Sequence, residues 1–405
     1  MHMRPSTQTP CAPRRMRQTV CAVLAAVAVA AVLPCTVGAQ QRFVTIERFV
    51  PHTSTVPANA GERVGIYLRE KATAAAAARF ASGESPTGRV VLFVHGGSVS
   101  SIPDYDLDYK DYSWMGYLAE AGFDTFAMDQ SGYGRSPRPM MDDPCNMSVA
   151  DQALATPHAG PCEPSYPYGS TTVQSDWDEI DTVVDYIRAL RGVERVSLLG
   201  WSAGGRRTGG YAARHPAKVD KLFLYAPGYS PDGPSEEAAN LPRPGVPMRL
   251  QTRETLTQGR WEENVVCENQ VDPGIREVIW RTIMAFDSFG SVWGPPEGVM
   301  RVRAGNPSWG WNRDDAAKVT APTMIVVGAQ DNPERRGVLL ADLTGTGAKV
   351  LVTMACATHF AVWETSQYKF MHRASLEWLS DGTYRGRSNG AYQVGVDGAE
   401  TSGGQ

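Results

Sequence analysis

The strongest constraint on the fold is a repeated exchange between two hydrophobic periods. Short, almost continuous apolar runs alternate with longer segments whose apolar residues recur every three or four positions. Residues 89–94 (RVVLFV) form the first clear run, and 123–128, 195–199, 221–225, 323–327 and 349–353 follow. A stretch that is apolar at nearly every position suits a strand covered on both faces. Between these runs, residues 112–121, 175–190, 203–214 and 360–379 carry helical spacing. In 175–190, Trp177, Ile180, Val184 and Ile187 share one face, and Ser175 with Asp178 resembles a capping box. Such alternation predicts the α/β class, a doubly wound and mostly parallel sheet with helices on its faces. Two earlier strand-like runs, 43–50 and 63–69, and an Ala-rich stretch at 72–78 precede it.

Two segments break the alternation. Residues 137–169 are rich in Pro, Asp and Ser and carry two cysteines. Residues 229–312 are longer than a connection needs and hold Trp261, Trp280, Trp293, Trp309 and Trp311. This second segment is expected to be a cap inserted between core halves at 40–228 and 313–382. The polar, Gly-rich stretch 383–405 is expected to be a flexible tail. The chain has a formal charge of −4 and neither a basic face nor a long like-charge run. That balance points away from a nucleic-acid or anionic-membrane partner. Oligomeric state is left open.

Residues 1–39 are expected to be an export signal. Arg14, Arg15 and Arg17 give a basic start, 20–33 is apolar but short for a bilayer span, and Val37-Gly38-Ala39 offers small residues for cleavage. The leading expectation is a secreted or periplasmic protein with no stable membrane span after processing. A retained anchor, lipidation at Cys35 and twin-arginine export through Arg14-Arg15 stay open. Cleavage would leave Cys145, Cys162, Cys267 and Cys356, an even count that predicts disulfides in an exported chain. Of the three pairings, Cys145–Cys162 is favoured because it closes one short insertion. Cys267–Cys356 then follows by elimination, and free buried thiols are the alternative.

The chemistry centres on Leu199-Gly200-Trp201-Ser202-Ala203-Gly204-Gly205, a G-x-S-x-G between a buried strand and a helix. A serine on a sharp strand-to-helix turn projects its hydroxyl above the sheet, and Gly200 and Gly204 keep bulk away from the turn. The helix start favours developing negative charge. A serine hydroxyl needs a base at neutral pH. His359 follows the last strand and is the expected base, whereas His215 and His372 are expected to be structural. Asp331 follows the strand at 323–327 and is the expected acid, with Asp232 as runner-up. The oxyanion donors are expected to be the N–H groups of Ala203 and of Gly97, the latter in the turn His95-Gly96-Gly97-Ser98. His95 is expected to organise that loop. Arg206 and Arg207 are expected at solvated helix positions or in sheet-edge ion pairs. Asp104, Asp106, Asp108 and Asp111 are spaced as in a calcium loop, but Tyr109 stands where such a loop needs glycine and Met115 where it needs glutamate. They are expected to form a polar loop or pocket rim, and no metal or cofactor is expected.

These segments resemble the α/β-hydrolase superfamily. His95-Gly96-Gly97 looks like its oxyanion turn, residues 129–136 (DQSGYGRS) resemble its D-x-x-G-x-G-x-S loop, and Gly200 to Gly204 is similar to its nucleophile elbow. His215-Pro216 and residues 219–227 continue in the same manner, and Asp331 and His359 fit its acid and base positions. The resemblance covers about 89–227 and 321–379. Serine at 202 separates the chain from the branches that carry aspartate there. The resemblance implies a serine esterase-like enzyme with a cap, working through an acyl-enzyme. The expected substrate is a carboxylic ester with an apolar or aromatic portion. An amidase or peptidase, a carbon–carbon bond hydrolase or cofactor-free perhydrolase, and a non-catalytic binding protein are the competing readings.

Overall fold

A computed structural model describes residues 43–401 apart from 156–159, 258–260, 306–307 and 397. The expected export signal at 1–39 and His158 lie outside the described residues. In chain order the strands are β1 (Phe43–Thr53), β2 (Arg63–Thr73), β3 (Val90–Val94), β4 (Asp124–Met128), β5 (Val196–Trp201) and β6 (Val219–Tyr225). They continue with β7 (Met248–Gln251), β8 (Met300–Arg303), β9 (Thr323–Gly328), β10 (Lys349–Met354), β11 (Asn389–Val394) and β12 (Glu400–Thr401).

Ten of these strands form one sheet in the order β1-β2-β4-β3-β5-β6-β9-β10-β11-β12. From β4 to β11 every pairing is parallel, while β1–β2, β2–β4 and β11–β12 are antiparallel. The continuous apolar runs form the centre of the sheet because helices cover both faces. One layer includes the helices Trp114–Glu120 and Tyr368–Asp381, and the other includes Val173–Arg191 and Ala203–Arg214. All six residues of β5 are buried. Burying a Leu or Val side chain of this kind contributes about 1.5–3 kcal/mol, so a polar residue in β5 would weaken the strand that carries the central motif.

Several sequence expectations need correction. The capping box of the helix Val173–Arg191 uses Thr172 and Ser175, not Ser175 and Asp178. The last helical stretch is split: a 3-10 turn at Ala361–Trp363 precedes the helix Tyr368–Asp381. The chain beyond Asp381 is not frayed where it is described. Asn389–Val394 adds a parallel strand beside β10, and Tyr384 and Val394 are buried. Its polarity concealed this, because most of the strand is exposed and only Val394 is buried.

The segment 229–312 folds as a small β7–β8 antiparallel pair with the helix Ile275–Ala285 and shorter turns. Trp261, Trp280 and Trp311 are buried packing residues. Cys145 is bonded to Cys162, with Cα atoms 5.4 Å apart. Cys267 is bonded to Cys356, with Cα atoms 5.7 Å apart. The second bond ties the inserted segment to the loop after β10. No helix among the described residues is long and apolar enough to cross a membrane.

Candidate active site

Ser202 sits where β5 ends and the helix Ala203–Arg214 begins, with φ 57° and ψ −116°. Positive φ is costly for a residue with a Cβ and persists only where packing imposes it. Here the helix start is pressed against the end of β3: a Cβ on Gly204 would lie 2.1 Å from the Val94 carbonyl oxygen, so only glycine fits. Ser202 N–H donates to the Tyr225 carbonyl at 2.9 Å, which fixes the turn against β6.

His359 and Asp331 come together from the ends of β10 and β9. The His359 Nδ1 lies 2.9 Å from Asp331 Oδ2, which leaves Nε2 outside this contact. Arg336 Nη2 reaches the same carboxylate oxygen at 3.4 Å and the Ala226 carbonyl at 3.3 Å. The strands themselves hold the loop bearing His359. Trp201 Nε1 donates to the His359 carbonyl at 2.9 Å, and the Tyr225 hydroxyl donates to the Thr358 carbonyl at 2.7 Å. Glu364 accepts from Thr358 on one side and from Trp261 and Gln270 of the inserted segment on the other. Burial pushes its carboxyl above the ordinary value despite these donors.

Ser202 and His359 line one cavity with Gly96, Gly97, Ser98, Val99, Trp201 and Phe360. Among the described residues no hydrogen bond joins Ser202 to His359, a looseness common before substrate is bound. The cavity is about 20 Å³, room for roughly one water. Its aromatic wall comes from Trp201 and Phe360. None of the five tryptophans of 229–312 lines it. A larger cavity of about 370 Å³ lies between Thr172, Leu241, Arg243 and Trp309, and no histidine lines it.

Several polar groups of the turn after β3 are occupied. Gly96 N–H donates to Asp104 Oδ2 at 3.3 Å. The Gly96 carbonyl lies 2.7 Å from His95 Nδ1, and the Gly97 carbonyl accepts from the Tyr133 hydroxyl at 2.8 Å. The Gly97 N–H has no partner among the described residues, and neither has the N–H of Ala203. A Cβ on Gly97 would stand 3.3 Å from that of Ala203, so the two residues lie beside each other next to Ser202. His95 is the organiser of this turn. Its Nε2 accepts from Gln130 N–H at 3.1 Å, which assigns the proton to Nδ1. Burial first, and then the Arg207 charge, push its pKa down to about 3.

Residues 89–253 match the family model described as alpha/beta hydrolase fold. The chain has the α/β-hydrolase fold, and the matched stretch carries the central motif. No curated protein matches it. Among solved structures, this chain is similar to the 2-hydroxy-6-oxo-6-phenylhexa-2,4-dienoate hydrolase of Rhodococcus sp. strain RHA1, at 16% identity over 83% of this chain and 99% of that one, with a TM-score of 0.46. It is similar also to a monoacylglycerol lipase of Paleococcus ferrophilus, at 19% identity over 78% and 99%, with a TM-score of 0.44. A structure from Nitrososphaera gargenis, described with carboxylesterases, aligns at 14% identity over 82% and 98%, with a TM-score of 0.47.

The remaining candidates separate from the site. Asp232 is exposed and faces Arg313 at 3.7 Å, away from His359. His215 stacks on Tyr211, and His372 is buried against Trp114 and Tyr117. The four aspartates of 104–111 do not converge. Asp104 holds Gly96, Asp106 pairs with Arg69 and Lys71, Asp108 is exposed, and Asp111 bonds Tyr368 and Lys369. Arg207 is not solvated: its side chain is 3% exposed and its Nε lies 2.9 Å from Asp176. Arg207 is legible in the sequence but not its burial, and Asp176, Arg303, Arg336 and Glu364 have no signal there, because no local pattern marks a charged residue that tertiary packing will bury.

Proposed function

We propose that this protein is an exported serine hydrolase that cleaves a carboxylic ester. Ser202 is the nucleophile, His359 the base, Asp331 the residue that holds the imidazole, and the Gly97 and Ala203 N–H groups the oxyanion donors. The observation that carries this reading is the 2.9 Å His359–Asp331 contact on the wall of the cavity that holds Ser202. The two disulfides support an oxidising destination.

The steps follow from the geometry. His359 Nε2 takes the proton of Ser202 as Oγ attacks the ester carbon, and the carbonyl oxygen becomes an oxyanion facing the two free N–H groups. Collapse breaks the bond to the alkoxide, which leaves with the proton from His359. Water, deprotonated by the same nitrogen, then attacks the acyl-enzyme and releases the acid. The Trp201 and Phe360 rings favour an apolar or aromatic portion on the substrate.

The test is hydrolysis of a chromogenic short-chain ester by purified protein. Ser202→Ala should lower kcat by about 10⁴-fold or more while the circular dichroism spectrum is kept. Undiminished activity in Ser202→Ala would overturn the assignment.

A further inference from the structure

The orientation of the Gly97 N–H has an identifiable cause behind the turn. A peptide plane is rigid, and its C=O and N–H point in opposite directions. Fixing the Gly96 carbonyl therefore fixes where the Gly97 N–H points. That carbonyl is gripped by His95 Nδ1 at 2.7 Å and by Arg207 Nη1 at 3.4 Å. Arg207 Nη1 also lies 3.3 Å from the His95 carbonyl, so one guanidinium spans two successive carbonyls of the turn. Arg207 is one of the residues of the helix that begins immediately after Ser202, and so it joins nucleophile helix and oxyanion turn into one unit.

Arg207 is itself held. Its Nε meets Asp176 Oδ2 at 2.9 Å, on the first turn of the helix Val173–Arg191. Asp176 is shared with Arg303 from β8 of the inserted segment, whose Nη1 and Nη2 both lie 2.7 Å from its carboxylate oxygens. Arg303 further donates to the Ser131 carbonyl at 3.1 Å. All three side chains are at most 3% exposed. An aspartate between two arginines in so dry a place has few alternative arrangements, because any displacement strands a buried charge.

We propose that Arg207, steadied by Asp176 and by Arg303 of the inserted segment, is a positioning residue that aims the Gly97 N–H at the oxyanion. The seating of the inserted segment is thereby coupled to the competence of the site. This inference rests on the ester-hydrolase reading above. It assigns Arg207 no contact with substrate.

The experiment uses the full protein with Arg207→Gln, Arg207→Lys and Arg303→Gln. Active sites are counted by end-point titration with a fluorophosphonate, and kcat and KM for a p-nitrophenyl ester are expressed per titrated site. Loss of a complete oxyanion donor costs about 10²–10³ in kcat; a misaimed donor should cost about 10–100-fold, with KM changed less than about threefold. Affinity for a trifluoromethyl ketone, which forms a tetrahedral oxyanion on serine, should fall in parallel with kcat. Arg303→Gln should show the same signature in weaker form. A purely structural role predicts a lower melting temperature and fewer titratable sites with kcat per site unchanged, and that result would overturn the inference. Should Arg207→Gln fail to fold, Arg207→Lys keeps the charge beside Asp176 but cannot span both carbonyls, and it is read in the same way. A wild-type protein that neither reacts with fluorophosphonate nor cleaves the ester would instead overturn the parent reading.

Discussion

At the scale of single residues, the chain separates groups that a local pattern announces from groups that only packing creates. Ser202, Asp331 and His359 could be picked out in advance because each follows the abrupt end of an apolar run, where loops at one edge of a parallel sheet gather. Arg303, Glu364 and the burial of Arg207 could not, since nothing near them in the sequence distinguishes a buried charge from a solvated one. Buried histidines make a residue-scale prediction. His372 lies among Trp114, Tyr117 and Tyr368, and burial holds its pKa down to about 3 from an ordinary value of 6.5. Between those values the unfolded chain binds a proton that the folded one refuses, so this group lowers stability as pH falls from about 6.5 towards 3. Buried Glu179 and Asp124, raised to about 7 by burial, act in the opposite sense between about 4 and 7, so the signal must be read as a difference. The stability of wild type minus that of His372→Phe should shrink steadily on acidification from pH 7 to 4 in urea titrations. A difference independent of pH would contradict it.

At the scale of elements, the segment 229–312 is more than a cover. It reaches the site's supports at three points: Arg303 on Asp176, Trp261 and Gln270 on Glu364, and Cys267 on Cys356. Cys356 stands three residues before His359, so the bond braces the loop that presents the imidazole. A cross-link closing a loop of 89 residues should contribute about 2–5 kcal/mol to stability. The double variant Cys267→Ser/Cys356→Ser should therefore show a lower urea midpoint and a reduced kcat for ester hydrolysis. Equal stability and equal kcat would show that the loop is held by the hydrogen bonds of Glu364, Trp201 and Tyr225 alone. The strand periods of the core were legible because both faces of β3, β5 and β9 are covered. The strand Asn389–Val394 was not, because at the sheet's border polar residues are tolerated and the pattern disappears.

At the scale of the whole molecule, a ten-stranded sheet places the ends of β3, β5, β9 and β10 close together, and every group assigned to the reaction hangs from one of those ends. The fold class followed from the alternation of periods, which is a global property and survives errors at element boundaries. The substrate does not follow in the same way, because no residue that lines the cavity beside Ser202 singles out one ester from another. The account stands or falls on the reactivity of one hydroxyl. Intact-protein mass spectrometry after incubation with a fluorophosphonate, followed by peptide mapping, tests it directly. The account predicts a single adduct on Ser202 in the wild type and none in Ser202→Ala. A wild-type protein left unmodified, or an adduct on another residue with ester hydrolysis retained in Ser202→Ala, would contradict it.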